Sequence, residues 1–166
     1  NYICVVFKTS ADGETTMVAS KPVSALLLTD GFALKGKGTE AAPFEIGSYE
    51  QYCQFANMVN SGVNFANMYF KLTTDLTLPK DGVRIGRSGA YFQGIFDGDN
   101  HTVTYEYGGA PMFGVGKCTI KNLKLKGDYI NGAALSSGLD GEINNIRLLS
   151  GSTGLGGFVG SSGSLK

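Results

Sequence analysis

The stretch GVGKCTIKNLKLKGDY at 114–129 opens with two glycines and a lysine, the ingredients of a phosphate-cradling loop. Such a loop has Gly-x-x-x-x-Gly-Lys and then Ser or Thr, whose hydroxyl holds magnesium, followed by a helix whose N-terminus faces the phosphates. Here Cys118 follows Lys117, and the next residues alternate as a strand does. Gly114 and Gly116 therefore read as a turn between structural repeats. GKGTEA at 36–41 lacks the strand-helix context of a dinucleotide fingerprint. DGDNHTV at 97–103 begins as a calcium loop begins, without the Gly at position 6 and the Glu at position 12 of an EF-hand. Asp97 and Asp99 remain the candidates for a different, weak calcium site. The plainer reading is a turn whose Asp and Asn side chains bond local backbone. No other cofactor is indicated.

His101 is the single histidine, which excludes multi-His metal sites and leaves one candidate base for a Ser or Cys nucleophile. Arg84 and Arg87, in VRIGRSGAYF, are spaced to hold an anion or to form a solvated edge. Tyr49, Tyr52, Tyr69, Tyr91, Tyr105 and Tyr107 are stacking platforms for sugars if exposed, and core residues if their parity turns them inward. No pair of acids is recognisable as general acid and base.

Charge and composition narrow the classes further. The chain of 166 residues carries 14 basic and 14 acidic side chains, so no net field favours nucleic acid or an anionic membrane. No apolar run is long enough to cross a bilayer. Three widely spaced cysteines define neither a disulfide framework nor a CxxC metal pair. The 25 glycines with only 4 prolines fit many tight turns. The Gly/Ser-rich run at the last residues suggests part of a longer chain.

The elements that must position these residues follow from periodicity. YICVVFKT and TTMVAS, around Asp12-Gly13, read as a hairpin, and ALLLTDGFAL as a further strand. A helix is expected at 49–61, with Ser48 and Gln51 as a capping box and Gly62 as its stop. Its apolar stripe is Tyr49, Tyr52, Cys53, Ala56 and Val59, with Glu50, Gln54 and Asn57 opposite. Beyond Gly62 the period becomes two: Phe70, Leu72, Leu76 and Leu78 share one face, and Val103, Tyr105 and Tyr107 alternate with polar residues.

The strongest pattern is a repeat. IKNLKL at 120–125 and INNIRL at 143–148 both read Ile-x-Asn-apolar-x-apolar. An earlier copy aligns Val103 and Tyr105 with Leu123 and Leu125. A recurrence every ~20–25 residues with one apolar strand per copy is a solenoid signature, because a single copy cannot bury its apolar face. The step from Ile120 to Leu123 breaks alternation and implies a corner at Lys121-Asn122. Asn122 and Asn145 then stack as a ladder. The solvent-facing row Lys121, Lys124, Arg147 is the candidate ligand-contact face.

Several segments in order resemble the glycine-rich bacterial surface proteins that carry GLUG-type repeats. They are GKGTEAAPFEIGSYEQYCQFANMVNSG (36–62), FKLTTDLTL (70–78), IGRSGAYFQGIFDGDNHTV (85–103), PMFGVGKCTIKNLKLKG (111–127) and GGFVGSS (156–162). In GGFVG, Phe158 stands in the Leu position of the family's signature. The resemblance implies an all-β fold, a right-handed parallel β-helix over 36–166, with the helix at 49–61 as its N-terminal cap. Residues 1–35 stand apart, as a hairpin segment or the end of a preceding domain. It also implies a secreted or cell-surface, non-enzymatic stalk or adhesion module whose partners are glycans or host proteins. The alternative is a carbohydrate-active enzyme, a polysaccharide lyase or glycosidase, resting on Asp97, Asp99 and Arg84. Only Thr102 and Thr104 form a Thr-x-Thr, so no ice-binding array exists.

Overall fold

The computed structural model describes residues 4–9, 15–20, 34–127, 133–149, 158–160 and 162–165. The chain is mostly β, with parallel strands in a curled sheet and, among the described residues, one helix. The hairpin expected first is present as β1 (Cys4–Thr9) antiparallel to β2 (Thr15–Ser20), with Cys4 opposite Ser20 and Thr9 opposite Thr15. The Asp12-Gly13 turn and the strand expected in ALLLTDGFAL lie outside the described residues, except Leu34, which is buried.

The remaining strands are β3 (Phe44–Ile46), β4 (Tyr69–Leu72), β5 (Leu76–Leu78), β6 (Ile95–Asp97), β7 (Thr102–Tyr105), β8 (Phe113–Gly116), β9 (Thr119–Gly127), β10 (Ser136–Leu148) and β11 (Ser162–Leu165). Their pairings are all parallel and fall into three rows. The first runs β3-β4-β6-β9-β10, the second β5-β7-β9-β10, and the third β8-β10-β11. β9 and β10 belong to more than one row because each turns a corner without losing its ladder. This is a β-solenoid in outline.

Period-two alternation explains why the rows enclose a core. In the first row Phe44, Phe70, Phe96, Ile120 and Ile143 stand in register, and the first four are fully buried. The outward positions beside them read Glu45, Lys71, Asp97, Lys121 and Asn144. Sign alternates along the four charged members, so each charge faces an opposite one across the ladder, and like charges directly opposite are avoided. In the second row Leu76, Val103, Leu125 and Leu148 point inward in register.

The repeat register is as the sequence implied for its two strong copies: Ile120 pairs with Ile143, Leu123 with Ile146 and Leu125 with Leu148. The earlier copy is displaced. Val103 pairs with Leu125 and Tyr105 with Gly127, not with Leu123 and Leu125. The cause is the corner. β9 bends at one left-handed residue, Asn122 (φ 53°), whereas the preceding coil bends over 98–101 with two, Asp99 (φ 47°) and Asn100 (φ 63°). The longer corner delays the strand by two residues and so leaves parity intact.

Gly114 and Gly116 are not a turn but lie within β8. A Cβ on Gly114 would overlap the Gly86 carbonyl oxygen of the neighbouring coil. Glycine stands there because two backbones touch, not because the chain reverses.

The helix, α1 (Tyr49–Asn60), ends close to where its signals lie. Ser48 Oγ accepts from the Gln51 N–H at 3.2 Å. Gln51 Oε1 reaches back to the Gly47 N–H at 2.6 Å, one residue before the position a capping box uses. At the other end Gly62 (φ 107°) donates to the Val59 carbonyl and Val63 to that of Met58, a Schellman closure. Replacing Ser48 by Ala is expected to cost about 1 kcal/mol in a denaturant titration. No measurable loss would mean that packing alone sets the start of the helix. The buried side is wider than the predicted stripe: Phe55 and Met58 join Tyr52, Ala56 and Val59. Phe55 sits among Phe65, Phe70, Phe92 and Phe96, with ring centroids 4.3–6.3 Å away.

Candidate functional site

The corner of β9 and β10 carries the ladder that the repeat implied. Asn145 Nδ2 donates to Asn122 Oδ1 at 2.9 Å. Both asparagines hold positive φ, which Asn tolerates better than most residues. The ladder extends one coil further than expected, because Asn122 Nδ2 donates to Asp97 Oδ1 at 3.1 Å.

Asp97 is thereby a structural acid. Its Oδ1 also accepts from the Asp99 N–H at 2.9 Å, and its Oδ2 lies 3.3 Å from Lys121 Nζ. Asp99 Oδ2 lies 2.7 Å from Lys71 Nζ. The two carboxylates singled out for calcium are each satisfied by a lysine of the first row, and among the described residues no three His, Cys, Asp or Glu converge. The calcium-loop likeness of DGDNHTV is thus the local Asx bonding of a corner.

Partial burial works against the charged form of Asp97, yet the Asp99 amide, the Asn122 amide and the Lys121 ammonium outweigh it and hold the carboxyl below its ordinary range. A depressed folded value means that the carboxylate stabilises the fold above the unfolded value near ~4. That contribution is lost as pH falls through the lower folded value. Asp97→Asn is therefore expected to be less stable than the parent at neutral pH, and to lose less further stability from about pH 5 to about pH 2.5. Parallel acid limbs for the two proteins would remove Asp97 from this role.

The proposed contact row is split by the corner. Lys124 and Arg147 are direct register partners in the second row, next to Thr102. Lys121 lies on the first row, paired with Asp97. The outward face that remains is Lys124, Arg147, Thr102, Thr104 and Lys126, with Arg147 and Lys126 exposed.

His101 Nδ1 lies 3.0 Å from Asp75 Oδ1, and the same oxygen accepts from the Thr102 N–H at 2.9 Å. Those two bonds hold the Asp75 carboxyl below its usual range. No Ser or Cys side chain among the described residues bonds the ring. Burial pushes the Cys118 thiol up to about 12, so it stays protonated as a small apolar group.

Of the tyrosines, Tyr52 and Tyr105 are core residues. The Tyr52 hydroxyl donates to the Val83 carbonyl at 2.8 Å and lies 3.1 Å from that of Met112, and Tyr105 Oη accepts from the Met112 N–H at 3.1 Å. Burial raises both phenols. Tyr107 is 70 % exposed, and Lys117 Nζ sits 5.2 Å over the ring centre of Tyr91.

The depressions among the described residues include the following two. A polar groove of about 450 Å³ follows the corner between the third and first rows and is lined by Asn67, Gln93, Lys117, Thr119, Asp140 and Glu142 among others. Its acids were not singled out from sequence, since only folding brings Asp140 and Glu142 of β10 beside Asn67 and Gln93 of earlier coils. A second, of about 380 Å³, brings Arg84 and Arg87 together with Asn60, Ser88 and Ser137. Comparison with models of protein families, with curated proteins and with solved structures finds no match to this chain.

Proposed function

We propose that this chain is a non-enzymatic module of a larger bacterial surface protein, a stalk or adhesion scaffold acting outside the cell. In this reading it is a right-handed parallel β-helix of the GLUG-repeat kind, with α1 capping its N-terminal end. The observation that carries the reading is where its outward polar groups are spent. Lys71 holds Asp99, Lys121 holds Asp97, and Asn122 bridges Asp97 and Asn145, each bond joining one coil to the next. A surface committed to stacking makes a stiff element that spaces other parts of a protein. The helix reading is supported by Phe55, which closes the interior beside β3 and β5.

Contacts to a glycan or a host protein, in this reading, use the second-row face around Lys124 and Arg147, without metal. The Lys124→Glu/Arg147→Glu variant is expected to lose at least tenfold in retention on whichever immobilised glycan or cell-surface protein holds the parent chain. Equal retention of parent and variant on every ligand would move the contact elsewhere.

A second reading, a carbohydrate-active enzyme, is favoured by one feature: two carboxylates, Asp140 and Glu142, on one polar groove. It requires that Asp140→Asn or Glu142→Gln abolish a measured cleavage.

A further inference from the structure

The geometry points to an anion site at Arg84 and Arg87 that takes the carboxylate of an acidic saccharide. It is a different place from the Lys124–Arg147 face and does not depend on the scaffold reading.

The frame is rigid and neutral. The Asn60 side chain grips the segment twice, its Nδ2 donating to the Arg84 carbonyl at 2.9 Å and its Oδ1 accepting from the Gly86 N–H at 3.0 Å. Arg87 Nε donates to the Asn60 carbonyl at 3.0 Å, and Arg84 Nη1 to Ser137 Oγ at 3.1 Å. Each guanidinium is oriented by one neutral acceptor and keeps its other N–H donors for a ligand.

The floor is bare backbone. Gly86, Gly114 and Val115 lie beneath, where the coils come close enough for a Cβ on Gly86 to overlap the Val115 carbonyl oxygen. No side chain fills the depression from below.

Among the described residues, no carboxylate lies against the two cations in this depression. The ion pairs of Lys71, Lys121 and His101 lie elsewhere on the coils. That sets the arginines apart from Lys71 and Lys121, which are consumed in stacking. Arginine forks suit planar, bidentate carboxylates.

The walls select further. Val115 is the only apolar side chain among the lining residues, whereas Asn60, Ser88 and Ser137 offer polar groups. Most of the exposed lining is nonetheless carbon, which the C–H face of a sugar ring can cover. A polyhydroxylated acid meets a hydroxyl or an amide on several sides. About 380 Å³ falls in the range of small-ligand sites.

The test is calorimetry of the whole 166-residue chain with a uronate tetrasaccharide, its carboxyl-reduced counterpart and inorganic sulfate. The expected result is binding of the uronate, loss of the reduced sugar, and a salt-dependent affinity. Arg84→Gln and Arg87→Gln should each weaken the uronate on the order of tenfold or more. Arg87→Lys should recover only part. Equal binding of uronate and reduced sugar, no binding of either, or unaltered binding by an Arg84→Gln/Arg87→Gln double variant would overturn the site. Sulfate binding as tightly as the uronate would overturn the saccharide assignment. The comparison of the two sugars needs no variant, so a folding defect cannot obscure the outcome.

Discussion

Replacing Phe55 by Ala is expected to remove about 3–5 kcal/mol from the unfolding free energy, the usual cost of deleting a fully packed aromatic side chain. The ring is 0 % exposed and is the point where the helix meets the coils. It stacks on Phe70 at 4.3 Å, meets Phe92 edge-on at 5.2 Å and touches Phe65 at 5.7 Å. Phe65 takes φ 52°, a region that bulky residues avoid, and its ring is held by Phe55 and Phe70. Truncation therefore empties the helix contact and loosens a strained neighbour together. Equilibrium denaturation followed by tyrosine fluorescence measures it. A loss below about 1 kcal/mol would mean that α1 does not seal the interior.

Gly86→Ala is expected to cost about 3 kcal/mol or more through two independent effects. Its φ of 84° is left-handed, which costs a Cβ-bearing residue about 1–2 kcal/mol. The new methyl would also overlap the Val115 carbonyl oxygen, which is backbone and cannot rotate aside. Separating two coils to admit it adds an overpacking cost of about 1–3 kcal/mol. Gly89→Ala is the control: its φ is 80°, yet nothing lies within 4 Å of its Cβ position. The control should show the backbone cost alone. Equal losses at the two positions would mean that coil contact at Gly86 contributes nothing.

What the sequence revealed, and what it hid, follows from whether a residue's role is local. Asn122 and Asn145 were legible because two strong copies of one hexapeptide repeat with the same corner. The corner residue must tolerate positive φ, and its amide must meet its copy one coil away. The ends of α1 were legible for the same reason, since Ser48 and Gly62 act on their own turns.

The local turn bonding of Asp97 was legible, but its further partners were not, because Asn122 and Lys121 lie on the next coil. The register of Val103 was missed by two residues because corner length varies between coils while strand parity does not. Phe55 and Met58 escaped the helical stripe because a helix lying in an aromatic cluster buries a wider arc than a surface helix does. The third row was hidden in FGVG and SSGLDG, where four glycines, Gly114 and Gly141 among them forced by backbone contact, erase the alternation that marks a strand. The two depressions were illegible as sites, although Arg84 and Arg87 were visible as a pair. Three coils must stack before Asn60, Arg84 and Ser137 share a wall.

The scaffold reading is tested most directly by incubating the chain with a broad panel of polysaccharides, with calcium and with chelator, and scoring both retention and chain cleavage. The account predicts retention of some members, unchanged by chelator, with every polysaccharide recovered at its original length. Shortened chains, lost in the Asp140→Asn or Glu142→Gln variants, would contradict it and make the groove along β10 an active site.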